Sequence, residues 1–307
     1  MSRLSDSRYD VIVVGGGAMG SAAGWQLARR GHAVLVLERF HASHTYGASH
    51  GGVRIFRYGY EDPTYVRMVQ DALPLWRELE AESGETLLEL IGALDHGPER
   101  EIDLLAAAYQ NCGVVHEWLT PQAATERWPG AAFRYRRPRP DRCRSDPGSG
   151  YRRCTAAVVS RARSRAPLPV ESCRDRAEQR PGDRPYRGCG VRCTGGRRHR
   201  RDWTRPLLAG LRIALPALTT TEEQVFHFPP LEELPGIIPE PVTETTCLYT
   251  TTPTEDFVVD RFGPVVVAAG FSGHGFKFTP LIGARLADLA VGAVTGRAGR
   301  AGGARLG

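Results

Sequence analysis

Residues 9–38 restrict the fold more than any other stretch. Residues 9–14 (YDVIVV) form a short apolar, β-branched run of the kind that makes a buried parallel strand. Gly15-x-Gly17-x-x-Gly20 follows at once, and residues 21–30 carry the Ala, Leu and Arg content of a helix ended by Gly31. Residues 34–37 are a second apolar strand, closed by Glu38. The product is one βαβ unit. Gly15 permits the tight turn, Gly17 lets the backbone approach a pyrophosphate, and Gly20 allows close helix–strand packing. The helix N-terminus stabilises phosphate charge, and Glu38 can accept both hydroxyls of a ribose. A bare glycine pattern is weak; with both strands, the helix and an acid about 20 residues on, it is strong. An acid at position 38 disfavours a 2′-phosphate, which leaves NAD or FAD.

At 307 residues the chain suits two domains. No run approaches the roughly 18 apolar residues that a membrane helix needs. The polar start leads straight into a strand and is no secretory signal, so no membrane association and a cytoplasmic location are expected. The net charge of +6 is unevenly spread. Residues 134–201 hold about 21 Arg, no Lys and about six acids, so the rest of the chain is acidic. Cys143, Cys154, Cys173, Cys189 and Cys193 fall in that block with no Cys-x-x-Cys spacing, so no metal site is expected. Periodicity is lost there. Outside it, helices are expected at 65–82, with a kink at Pro74, and at 99–112, 121–128, 204–211 and 280–291. Strands are expected at 223–228 and 264–269.

The last of these strands runs into GFSGHGFKF, residues 270–278. Read alone, this is a strand-to-helix turn. Its backbone N–H groups and the helix N-terminus behind it would also suit an electron-rich ring edge. Lys277 stands out as the only lysine in the chain.

Four stretches in order, YDVIVVGGGAMG, HTYGASHGGVRIFRYGYED (44–62), CLYTTTPTEDFVVD (247–260) and GFSGHGFKF, resemble monomeric sarcosine oxidase and N-methyltryptophan oxidase, a family of FAD-dependent amino-acid oxidases. The resemblance covers about 9–130 and 203–289. It implies an α/β fold, with a discontinuous Rossmann-like FAD-binding domain (1–88, 202–215 and 250–307) and a truncated α+β substrate domain (89–133 and 216–249). It implies FAD bound by Gly15, Gly17, Gly20, Glu38, Gly273, His274 and Gly275, and held covalently by Cys247 through the flavin 8α-methyl. By residue chemistry alone Cys247 reads as a small buried hydrophobe. The resemblance gives Arg57 and Lys277 the substrate carboxylate, puts Arg54 near the flavin edge, and places His50 close to the flavin. Without it, Arg54 and Arg57 read as two charges on an exposed loop. The implied partners are an N-methyl amino acid and dioxygen, with the N–C bond oxidised, the imine hydrolysed and hydrogen peroxide returned.

The chain departs from the family in two places. After Phe228 it passes almost directly to Leu231, where relatives carry strands, substrate-caging residues and an oxygen-activating lysine. Residues 134–201 replace ordinary strands and helices and are expected to be out of frame or disordered. Residues 197–202 (RRHRRD) can be encoded as CGT CGT CAC CGG CGG GAC, which reads Val-Val-Thr-Gly-Gly-Thr one base over; the gene's nucleotide sequence tests this. Two other readings stay open: a flavin-binding chain that has lost catalysis, and an Arg-rich nucleic-acid binder. The block lacks aromatic interleaving and any nucleic-acid motif, so no nucleic-acid partner is expected.

Overall fold

The computed structural model describes residues 8–42, 44–51, 53–96, 101–128, 154–157, 159–163, 203–227 and 243–292. The chain divides into two compact units, Met1–Gly52 with Ser164–Gln224 and Thr246–Gly307, and Val53–Arg163 with Val225–Thr245.

The first unit opens with β1 (Val11–Val14), α1 (Ala18–Arg29) and β2 (Val34–Leu37). β1 and β2 pair in parallel, Val11 opposite Val34 and Val14 opposite Leu37, as the periodicity requires. β1 is less covered than its composition predicts, since Ile12 and Val14 are 45% and 49% exposed. The physical reason is the alternation of faces: Ile12 and Val14 share one face, while Val13 turns to the other and meets the first turn of α1 at Gly20.

The C-terminal part of this unit adds β11 (Val258–Phe262), antiparallel to β12 (Val265–Ala269), and α6 (Thr279–Val291). α6 lies against α1. Gly283 makes that approach possible, because a Cβ there would sit 2.6 Å from the Cβ of Ala22. Arg30 closes the same contact with a 2.7 Å ion pair to Asp288. Leu218, Val267 and Ala269 form a small core with Ile213, Leu215 and Val258 packed on it. A short helix, α5 (Thr204–Leu208), ends three residues before the expected 211. β9 (Thr219–His227) and β10 (Thr243–Thr251) pair as a two-stranded sheet.

The second unit holds β3 (Val53–Arg57), α2 (Pro63–Ser83), β4 (Leu88–Leu90), β5 (Ala93–Asp95), α3 (Ile102–Asn111), β6 (Glu117–Leu119), α4 (Pro121–Arg127), β7 (Cys154–Ala157) and β8 (Val159–Arg163). Asp62 caps α2 by accepting from the Thr64 N–H, Pro63 occupies the first turn and Gly84 ends it at φ +70°. The helix runs through Pro74 because Val66, Val69, Ala72, Trp76 and Leu79 bury a continuous face on either side of it.

Two three-stranded antiparallel sheets follow, in the orders β3-β8-β4 and β5-β7-β6. Their central strands come from the Arg-rich block, where no strand was expected. Thr155 and Val159 favour strands but Ala156 and Ala157 do not, so pairing with the flanking strands, more than propensity, holds these segments extended. The rest of 134–201, with the frame and disorder expectations placed on it, lies outside the described residues. The first unit's opening segment ends at Gly52, where β3 takes its hydrogen bonds from β8 and α2 packs on α3.

Candidate active site

The glycine loop is built as the sequence reading requires. Gly15 has φ +106°, a conformation that side chains resist, and its N–H donates to the Leu37 carbonyl at 2.8 Å. A Cβ at Gly20 would run into the Gly15 carbonyl oxygen, so the first turn of α1 can sit on the loop only with glycine there. Gly17 is the N-cap and brings no side chain of its own. Ser49 supplies what is missing: its Oγ accepts from the Ala18 N–H at 2.9 Å and lies 3.1 Å from where a Gly17 Cβ would be.

Glu38 ties the loop to the end of β2. Its Oε2 accepts from the Gly16 N–H at 2.7 Å, and its Oε1 accepts from the N–H groups of Arg39 and Phe40 at 2.7 and 3.0 Å. A carboxylate offers about four acceptor positions, so three backbone donors leave room for a hydroxyl. His44 Nε2 stands 3.6 Å from Oε1. The open glycine cradle, the helix N-terminus and the anchored acid fit the pyrophosphate and ribose of a dinucleotide.

The segment 44–51 that carries Ser49 also touches Cys247. Cys247 is buried on β10, and its Sγ lies 3.8 Å from the Ala48 carbonyl oxygen. Tyr249, two residues on and so on the same strand face, meets the second glycine loop. A Cβ at Gly273 would collide with the Tyr249 ring, and one at Gly270 with Thr252. The loop backbone therefore lies flat on the end of β10, fastened by Ser272 N–H to the Thr250 carbonyl at 2.9 Å. His274 reaches the Glu255 carbonyl at 3.3 Å. A 3-10 turn, Phe276–Phe278, intervenes before α6, which the sequence reading started at 280.

Lys277 sits in that turn, 5% exposed, and its Nζ donates to the His274 carbonyl at 2.8 Å. An ammonium so removed from water favours an anion nearby. Gly273, His274, Gly275, Lys277 and Cys247 are thus brought together, and the Ser49 segment adjoins both Cys247 and the first glycine loop.

Arg54 and Arg57 belong to the second unit, while His50 lies in the first. The two arginines are on β3 and half-buried, not on an exposed loop, because β8 extends the sheet beside them. Three residues apart on a strand, they point to opposite faces. Arg54 shares its face with the buried Phe56. The Arg57 guanidinium lies 5.9 Å from the Tyr60 ring. Burial pushes the Tyr60 hydroxyl pKa well above its ordinary value, and the Arg57 charge offsets only part of that. Sequence reasoning missed Ser49, Tyr249 and Asp95. Ser49 and Tyr249 fall inside the quoted motifs, but nothing local marks their contacts. Among the described residues no cluster of His, Cys, Asp and Glu could hold a metal, and no helix is long and apolar enough to cross a membrane.

A phosphate cradle and an anchored acid on a βαβ unit define a dinucleotide-binding class of protein. The FAD dependent oxidoreductase family model matches residues 10–166, and the chain belongs to that family. It is 30% identical to a probable sarcosine oxidase of Arabidopsis thaliana, over 97% of this chain and 92% of the relative. It is 27% identical to monomeric sarcosine oxidase of Arthrobacter, over 92% of each. That second alignment spans 368 positions against 307 residues here, so part of the relative has no counterpart in this chain. Among solved structures, glycine oxidase from Geobacillus kaustophilus matches with TM-score 0.64 at 17% identity, covering 94% of this chain and 96% of that one, a likeness of fold.

Proposed function

We propose that this FAD-dependent oxidoreductase is an oxidase of N-methyl amino acids, of the sarcosine or N-methyltryptophan type, with dioxygen as acceptor. The products are an imine, hydrolysed to amine and aldehyde, and hydrogen peroxide. The observation that carries the reading is the arrangement around 44–51. Ser49 completes the helix N-terminus at the phosphate cradle, and the neighbouring Ala48 carbonyl meets the Cys247 thiol. One segment therefore joins a dinucleotide cradle to the cysteine that resembles the family's flavin-linking one.

When bound, FAD supplies the two-electron oxidation that no side chain can perform. This chain's residues do the rest. Gly15, Gly17 and Gly20 with the α1 N-terminus hold the pyrophosphate, and Glu38 takes the ribose. Gly273, His274 and Gly275 present backbone groups to the ring, and Cys247 links it covalently. Lys277 and Arg57 bind the substrate carboxylate by charge-assisted hydrogen bonds, which orient the carbon to be oxidised. Arg54 and His50 act near the flavin, as the resemblance assigns them.

The test is the visible spectrum of the purified chain before and after acid precipitation. Yellow colour retained in the pellet and lost in Cys247→Ser supports a covalent flavin. Colour released on precipitation removes the covalent assignment. No colour at all sinks the reading. A second reading, a flavin binder without catalysis, is favoured by the positions of the relatives that have no counterpart here. Retained flavin that sarcosine and N-methyltryptophan fail to bleach under anaerobic conditions selects it.

A further inference from the structure

Beside Arg57 lies a buried carboxylate that the reading above leaves unused. Asp95 ends β5 and is 8% exposed. Its Oδ2 accepts from the hydroxyl of Tyr109 at 3.2 Å, and Tyr109 is fully buried on α3. Its Oδ1 faces Gly59. The point that a Gly59 Cβ would occupy is 3.1 Å from Arg57 Nη1 and 3.4 Å from Asp95 Oδ1. A side chain at position 59 would press on both groups, so glycine lets a cation and a buried anion approach the same point, and both charges belong to the same unit.

We infer that Asp95 is a specificity-determining residue, a buried counter-charge that weakens the hold of Arg57 on plain anions and favours ligands carrying an amine cation beside their carboxylate. The inference rests on Arg57 being a carboxylate-binding group. A lone guanidinium attracts every small anion. A second fixed charge of opposite sign a few ångströms away lowers the potential at the guanidinium fork in a part-buried setting. A plain carboxylate loses from that offset, whereas a zwitterion meets a complementary dipole. Tyr109 matters because a hydrogen bond from a buried donor holds the carboxylate in place.

The experiment compares binding of propionate and sarcosine to the full chain, by calorimetry or saturation-transfer NMR, in the wild type, Asp95→Asn, Tyr109→Phe and Arg57→Gln. Asn keeps the size and still accepts from Tyr109. Asp95→Asn is expected to bind propionate about tenfold more tightly and to lose most of the preference for sarcosine. Tighter binding cannot come from a damaged fold, which separates this role from a structural one. Tyr109→Phe keeps the charge but frees the carboxylate to move, and should tighten propionate binding by less than Asp95→Asn does. The wild type alone should prefer sarcosine over propionate, so the inference stays testable even if Asp95→Asn does not fold. Equal affinities in the wild type, or no tightening in Asp95→Asn, overturn it while Arg57→Gln still abolishes binding. If Arg57→Gln binds as the wild type does, the Arg57 reading fails and takes this inference with it.

Discussion

Replacing Glu38 with alanine should cost the chain both its loop geometry and its FAD affinity. The carboxylate accepts from three backbone N–H groups, at Gly16, Arg39 and Phe40. Hydrogen bonds to a charged acceptor contribute about 1.5–3 kcal/mol each in burial, and this side chain is 22% exposed, so the low end applies. Water reaches the freed donors in part, and about 2–3 kcal/mol of local stability is lost. The ribose loses one further charge-assisted bond of about 1.5 kcal/mol, and re-forming the loosened loop costs FAD binding about as much again. FAD affinity should therefore fall about 100-fold, from roughly 3 kcal/mol at 1.4 kcal/mol per decade. The assay is titration of flavin-free protein with FAD, followed by quenching of flavin fluorescence, with Glu38→Gln as the shape-preserving control. Gln keeps one carbonyl acceptor and should lose only about tenfold. An Ala variant within threefold of wild type would refute the assignment of Glu38 to the ribose.

Gly20→Ala should abolish FAD binding and destabilise the first unit, because its methyl meets the Gly15 carbonyl; flavin content after purification checks it. Gly283→Val should lower thermal stability by about 1–3 kcal/mol, since the Ala22 Cβ and carbonyl oxygen at 2.6 and 2.8 Å leave no space for a side chain; a thermal scan measures it. Glu80 gives a pH signature. Burial raises its pKa, but bonds from Arg77 and from the Leu88 and Leu87 N–H groups, with the Arg77 charge, outweigh that and hold it below its ordinary 4.5. A depressed carboxylate stabilises the fold above its unfolded pKa and loses that contribution as pH falls through the folded value. Wild-type stability should therefore drop more steeply below pH 4.5 than that of Glu80→Gln in acid denaturation, and parallel curves would refute it.

The pattern of residues by itself determined the first βαβ unit, its glycine loop, Glu38 and most helices. Those features are local. A β-branched run, a glycine at positive φ and a capped apolar stripe each state their geometry within a few residues, so β2 falls at the expected 34–37 and α4 begins at the expected Pro121. The same locality makes the separate roles of Gly15 and Gly20 legible in the sequence. Short strands escaped: β4, β5 and β6 have three residues each, too few to show a period of two, and β7 and β8 sit in sequence whose Arg content hides any alternation. Tertiary structure alone decided that Ser49 closes the α1 N-terminus from 31 residues away, that Tyr249 forbids any side chain at Gly273, and that Asp95 and Arg57 meet at Gly59. Such contacts depend on where two distant segments meet, and the free energy that fixes them comes from burial shared over many residues, so no single stretch of chain records them.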